Sequence, residues 1–219
     1  MEKTDLSALV FGSSGLTGNF LTEKLLSDPS FSQVKVFVRK KSGTTHPKLK
    51  EIIVDFANEK ELQENLKGDV LFCCLGTTIR VAGSQEAFEK VDLHYPVLLA
   101  NLAAKNGIKK FLMVSSVGAS AQSTNFYLKT KGTAEEKIAA TTIPHIYFFR
   151  PSMLLGKRKE FRFGEVMGKF FMVALSFLFM GGLKKYRAIK SEKVAEAMIR
   201  YSKTGTDKLK VVEYSEIVE

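Results

Sequence analysis

The chain has 219 residues, 45% of them hydrophobic, enough to bury one sizeable core in a single domain with a short C-terminal, substrate-side cap. Its formal net charge is +10, but no helix-turn-helix, zinc or RNA-binding signature accompanies that charge, so nucleic acid is not an expected partner. The two cysteines, Cys73 and Cys74, are adjacent; that excludes a disulfide framework and points to a reducing compartment, the cytoplasm.

Residues 1–5 are polar and the first apolar run is only strand-length, so no secretory signal is expected. That run, Leu6–Phe11, reads as a strand. It is followed by Gly12-Ser13-Ser14-Gly15-Leu16-Thr17-Gly18, where a helical pattern opens over Gly15–Leu26. Strand, glycine turn, helix is the order that dinucleotide binding requires. Gly12 suits a tight turn, Gly15 lets the backbone approach a pyrophosphate, and Gly18 lets the helix pack on the sheet. The helix N-terminus offers free N–H groups, so Ser14, Leu16 and Thr17 join the glycines as candidate cofactor contacts.

A second strand, Val34–Val38, ends in Arg39-Lys40. An acidic residue there would bond the ribose 2′-hydroxyl of NAD. A guanidinium matches a 2′-phosphate instead, so the cofactor read here is NADP(H), with NAD(H) as the alternative. The third strand, Glu51–Val54, leads into Asp55, which is either an acceptor for the adenine amino group or a turn residue. After a helix over Glu59–Asn65, the fourth strand, Val70–Leu75, runs into Leu75-Gly76-Thr77. A glycine at that edge lets a cofactor lie close to the sheet.

A long helix is predicted over Ser84–Asn106, stopped by Gly107. The fifth strand, Lys110–Ser115, ends in Ser115-Ser116. The next helix, Asn125–Thr141, carries Tyr127 and Lys131 four residues apart on one face. An ammonium near a phenol favours the phenolate and makes the tyrosine a usable general acid or base. A serine hydroxyl beside it can polarise a carbonyl. Strand His145–Phe149, helix Ser191–Ser202 and strand Leu209–Tyr214 complete the pattern. Alternating strands and helices predict an α/β, doubly wound parallel sheet with right-handed crossovers. No metal site is expected.

One stretch breaks the alternation. Phe170–Met180 is apolar throughout except Ser176, yet too short to cross a bilayer, which takes ~20 apolar residues. Basic residues flank it: Lys157, Arg158, Lys159 and Arg162 before, Lys184, Lys185 and Arg187 after. It is expected to roof the site within a substrate-side insertion over residues 152–190. A peripheral membrane or protein contact through 161–187 is the alternative.

Taken in order, these motifs resemble the atypical short-chain dehydrogenases/reductases. Among them the chain is most similar to the Tat-interacting-protein-like NAD(P)-binding proteins of the nucleotide-sugar epimerase/dehydratase superfamily. The matching residues are Gly12, Gly15 and Gly18, Cys74-Leu75-Gly76-Thr77-Thr78, and Val91-Asp92-Leu93-His94-Tyr95. Ser115-Ser116, Tyr127-x-x-x-Lys131, Arg150-Pro151-Ser152 and Tyr186-Arg187-Ala188-Ile189 match as well. The resemblance implies a Rossmann fold and a nicotinamide cofactor. It also implies Ser116 as the substrate-polarising serine, Tyr127 as acid/base and Lys131 as its ribose-bonding partner, with Pro151 and Ser152 near the nicotinamide amide. Where mainstream members carry a fourth-helix asparagine, this stretch carries Asp92.

The expected function is that of an NADPH-dependent reductase of a small carbonyl compound. Two alternatives accompany it: a cofactor-sensing module that contacts a protein or membrane without turnover, and an enzyme like the nucleotide-sugar epimerases and dehydratases. The substrate and the oligomeric state are left open by the sequence.

Overall fold

The computed structural model describes residues 5–156 and 186–219. The Phe170–Met180 stretch and the basic residues 157–162 and 184–185 lie outside the described residues.

Seven parallel strands form the central sheet, in the order β3-β2-β1-β4-β5-β6-β9. They are β1 (Leu6–Phe11), β2 (Phe31–Val38), β3 (Leu49–Ile53), β4 (Val70–Cys73), β5 (Lys110–Val114), β6 (His145–Phe149) and β9 (Leu209–Val212). A separate pair, β7 (Leu154–Leu155) and β8 (Ile189–Lys190), joins the chain on either side of residues 157–185. The order reverses between β1 and β4, which pair in register Val10↔Phe72 and Phe11↔Cys73. In an open parallel sheet, the crevice at such a reversal is where ligands bind.

The helices are α1 (Leu16–Ser27), α2 (Glu59–Asn65), α3 (Ile79–Ala82), α4 (Gln85–Glu89), α5 (Tyr95–Lys105), α6 (Phe126–Ala139), α7 (Ser191–Thr204) and α8 (Tyr214–Val218). They cover both faces of the sheet, which is why β1 reads as a continuous apolar run. Its Ala8 and Val10 point into a core that includes Leu21 and Leu25 of α1 and Val194 and Met198 of α7. Its Leu9 and Phe11 point into the opposite core, with Leu62 of α2, Leu99 and Ala103 of α5 and Ala134 and Ile138 of α6. Ala8, Leu9, Val10 and Phe11 are all fully buried. Period-two alternation between two covered faces is the structural basis of the doubly wound sheet.

Several elements depart from the sequence reading: β2 starts at Phe31 rather than Val34, β3 spans Leu49–Ile53 rather than Glu51–Val54, β4 stops at Cys73 rather than Leu75, and α3, α8 and the β7–β8 pair are additional. The helix expected over Ser84–Asn106 forms without a break over α4 and α5, but a π-helical turn over Lys90–His94 joins the two. The last strand stops at Val212 instead of Tyr214, because Glu213 starts α8 through a capping box with Glu216. The Glu213 side chain accepts from the backbone of Glu216, and the Glu216 side chain accepts from the Glu213 N–H.

Candidate cofactor and active site

The glycine turn is held by contacts that admit no larger residue at two of its three positions. Gly12 has φ +80°, and a Cβ there would lie 2.5 Å from the carbonyl oxygen of Cys74, at the end of β4. A Cβ on Gly18 would lie 2.1 Å from the Gly12 oxygen. Gly15 differs: its backbone is extended, it is exposed, and its Cβ would stand 3.2 Å from the Gly12 oxygen. The Gly15 N–H donates to Gly12 O at 2.9 Å, which closes the turn. No side chain caps the N-terminus of α1, so its first N–H groups and positive dipole end face the open cradle with Ser14 and Leu16. The Thr17 hydroxyl is buried there without a hydrogen-bond partner.

Arg39 and Lys40 follow β2, on the neighbouring strand, and both are exposed. Arg39 forms no ion pair among the described residues. Asp55, after β3, is exposed and accepts from the Ala57 N–H at 2.9 Å, so its carboxylate closes a turn. Next to it Phe56 stacks on Tyr95 of α5, ring centroids 3.9 Å apart.

On the other side of the crevice, Leu75, Gly76 and Thr77 leave β4 over the most buried charges of the site. A Cβ on Gly76 would lie 3.5 Å from Asp92 Oδ1 and 3.8 Å from Lys131 Nζ. Lys131 Nζ and Asp92 Oδ1 form an ion pair at 2.7 Å, with side chains only 6% and 1% exposed. Asp92 Oδ2 accepts from the Thr77 N–H at 2.8 Å. Burial pushes the Lys131 ammonium towards losing its proton; the adjacent Asp92 carboxylate opposes this, and the balance leaves the pKa above the usual lysine value.

Tyr127 lies one helical turn before Lys131, half-buried in the first turn of α6, its ring 5.7 Å from that of Phe88. Asn125 caps this helix, accepting from the Leu128 N–H at 3.1 Å. The loop after β5 presses against the same helix. A Cβ on Gly132 would lie 2.1 Å from the Ser120 carbonyl carbon, and Ser120 N–H donates to Leu128 O at 3.2 Å. Ser115 and Ser116 start this loop and both are buried. The Ser115 hydroxyl has no hydrogen-bond partner, whereas that of Ser116 reaches the Val117 carbonyl at a long 3.4 Å. Pro151 O accepts from the Val117 N–H at 3.0 Å, and the Ser152 hydroxyl donates to the Arg187 carbonyl. Glu135, a turn beyond Lys131, binds Arg150 through two parallel contacts, one of them Arg150 Nε to Glu135 Oε1 at 3.0 Å. This pair ties α6 to the end of β6.

Burial raises both cysteine thiols, Cys73 to about 12. Neither is a nucleophile at neutral pH. Among the described residues, no group of three or more His, Cys, Asp or Glu side chains could hold a metal ion, and no helix is long and apolar enough to cross a membrane.

Residues 12–200 match the NAD(P)H-binding family. The chain belongs to that family. Protein HTATIP2 of Rattus norvegicus is 36% identical over 173 residues, 77% of this chain and 71% of that protein. Protein FMP52-1, mitochondrial, of Scheffersomyces stipitis is 34% identical over 160 residues, 70% of each chain. Solved structures give the same fold at low identity. UDP-N-acetylglucosamine 4-epimerase from Methanobrevibacter ruminantium, in complex with UDP-N-acetylmuramic acid, superposes with a TM-score of 0.72 at 18% identity, covering 96% of this chain and 77% of that one. WbmF of Bordetella bronchiseptica, in complex with NAD+, superposes with a TM-score of 0.71 at 15% identity, covering 96% and 74%.

The described residues fit a dinucleotide. The Gly15 cradle is open, the N-terminus of α1 is uncapped, and the buried hydroxyls of Thr17 and Ser115 await partners. Sequence reasoning missed the Asp92–Lys131 pair and the Glu135–Arg150 pair. A carboxylate at a helical position reads as solvated, and only the fold brings these charges together.

Proposed function

We propose that the protein is an NADPH-dependent oxidoreductase of the short-chain dehydrogenase type that reduces a small carbonyl compound. The observation that carries this reading is Tyr127 on α6, one turn from a buried, charged Lys131, at the carboxyl edge of the sheet where the glycine cradle opens. A nicotinamide, when bound, supplies the hydride. Gly12, Gly15, Gly18, Leu16 and Thr17 would hold the pyrophosphate, with Ser14 beside them. Arg39 and Lys40 would meet a 2′-phosphate, and Leu75, Gly76 and Thr77 would line the strand edge. Asp55 would lie by the adenine, and Pro151 and Ser152 by the carboxamide.

The chemistry assigned to the chain's own side chains is proton transfer and orientation. Tyr127 donates its phenolic proton to the carbonyl oxygen. Ser116 orients that oxygen, with Ser115 behind it. Lys131 bonds the ribose and stabilises the phenolate left on Tyr127. A panel of aldehydes and ketones, read by loss of reduced-nicotinamide absorbance, tests this. Turnover of one compound supports the reductase; NADPH binding with no turnover across the panel refutes it.

A second reading, a cofactor-sensing module without turnover, draws on the Asp92–Lys131 pair, because a carboxylate 2.7 Å from the ammonium weakens its pull on the phenol. NADPH-dependent retention on anionic vesicles or on a protein partner, without turnover, would favour it. The chemistry of an epimerase would use the same Tyr127 and Lys131. The proposed compartment is the cytoplasm, in keeping with the free thiols of Cys73 and Cys74. Fractionation against mitochondria tests it, since the fungal relatives carry a mitochondrial designation.

A further inference from the structure

The π-helical turn is the least expected local feature of the fold, and it carries one buried carboxylate. Over Lys90–His94 the helix takes in one extra residue, and the Tyr95 N–H reaches back five residues to Lys90 O. Such turns are rare inside helices and recur at functional sites. Their effect here is to bring Asp92, 1% exposed, under the Gly76 turn. A carboxylate at that depth is costly unless fully paired. Asp92 Oδ2 accepts from the Thr77 N–H at 2.8 Å, and Oδ1, which lacks a hydrogen bond, is ion-paired with Lys131 Nζ at 2.7 Å.

We propose that Asp92 is a positioning residue: through direct contact it keeps the Lys131 ammonium charged and fixed beneath Gly76, within reach of a ribose and of the Tyr127 phenol. The assignment rests on the role given above to Lys131. The helix following β4 thereby controls a group on α6 without touching substrate or cofactor.

The surroundings of Lys131 leave this task to Asp92. Burial is the largest influence on the lysine and works against its charge. The opposing groups are Asp92 from the π turn, Tyr127 from α6 itself and Cys73 from β4. Cys73 is fully buried with its thiol pushed up to about 12, so it stays neutral. Phe88 of α4 is apolar, His94 of the π turn is exposed, and Glu135 of α6 is engaged by Arg150. Without Asp92, the buried amine would have no carboxylate beside it, the setting in which burial drives a lysine towards losing its proton. An interaction confined to the Thr77 N–H would do nothing of the kind.

The experiment is a pH titration of the full chain carrying labelled lysine, followed by NMR, with the Lys131 signal assigned by its loss in Lys131→Met. In the wild type the midpoint is expected above that of an ordinary lysine. In Asp92→Asn, which keeps an oxygen for the Thr77 N–H, the midpoint is expected to fall by about two units or more. An unchanged midpoint in folded Asp92→Asn overturns the assignment. If Asp92→Asn does not fold, the double variant Asp92→Asn/Lys131→Met should, because it removes the uncompensated amine. A double variant that also fails to fold overturns the proposal.

Calorimetric titration with NADPH is the second arm. Affinity of the wild type should vary little between about pH 6.5 and about pH 9, while Asp92→Asn should lose about tenfold as the lysine discharges. A flat profile in Asp92→Asn would overturn the link to the cofactor. Failure of the wild type to bind NADPH would refute the cofactor reading, while the lysine titration would still decide the role of Asp92.

Discussion

Replacing Gly15 and Gly18 by alanine should separate binding from folding within one turn. Gly15 has φ −77° and ψ 171°, an extended conformation that alanine adopts freely. Its Cβ would sit 3.2 Å from the Gly12 oxygen, tight but relieved by a small shift. Alanine reduces the freedom of the unfolded chain by ~0.4–1 kcal/mol but is a poorer N-cap than glycine by about as much. Gly15→Ala should therefore leave stability within about 1 kcal/mol of the wild type. Its methyl group would nevertheless point into the cradle, and NADPH affinity should fall at least ~tenfold, about 1.4 kcal/mol. At Gly18 the balance inverts. Alanine gains ~1 kcal/mol of helix propensity, but its Cβ would lie 2.1 Å from Gly12 O, 2.8 Å from Gly12 C and 3.0 Å from Ser13 Cα, all backbone. The turn or the helix must move, at a cost of ~3 kcal/mol. Urea unfolding and calorimetric titration of both variants are the assays. Full-affinity NADPH binding by Gly15→Ala, or equal stability losses in the two variants, would refute the distinction.

Three further outcomes are expected. NADPH should bind more tightly than NADH, and Arg39→Ala should remove ~1.5–3 kcal/mol of that preference; equal affinities in competitive titrations would exclude a 2′-phosphate site at Arg39. Glu135→Ala should cost ~2–3 kcal/mol in urea unfolding, because it strands the Arg150 guanidinium, whose side chain is 21% exposed, beside a buried gap; a loss under about 1 kcal/mol would mean the pair is unimportant to α6. Asp28 pairs with Lys203 at 2.8 Å, and although burial works the other way, hydrogen bonds from Lys203 and Ser30 hold its carboxyl below the usual value of 3.8. Its contribution is thus present above that pH and is lost as pH falls through the lower folded value. Asp28→Asn should lose less stability than the wild type on acidification below about pH 4, and parallel acid-unfolding curves would contradict this.

The strands were legible because a sheet covered on both faces writes itself as runs such as Ala8–Phe11, and the glycine turn because its backbone contacts tolerate no Cβ at Gly12 or Gly18. Tyr127 and Lys131 were legible from helical spacing. The π turn was not: an extra residue in a helical pattern shifts the apolar stripe by too little to notice between Phe88 and Leu99. The sequence singled out Asp92 only through the family resemblance, where mainstream members carry asparagine, and not as the partner of Lys131. Capping of α8 was hidden too, because Glu213 stands where capping boxes usually carry serine or threonine. The Arg150–Glu135 pair joins residues 15 apart, and no spacing rule anticipates such a contact.

The most direct test of the proposed chemistry measures NADPH affinity and carbonyl turnover on the same samples of wild type and Tyr127→Phe. Phenylalanine keeps the ring against Phe88 and leaves the glycine cradle untouched, so affinity should stay within about threefold, under 1 kcal/mol. Turnover should fall by the ~10²–10⁴ expected for a lost proton donor. Turnover equal to that of the wild type would contradict Tyr127 as the acid, and joint loss of binding and turnover would assign it to the cofactor site instead.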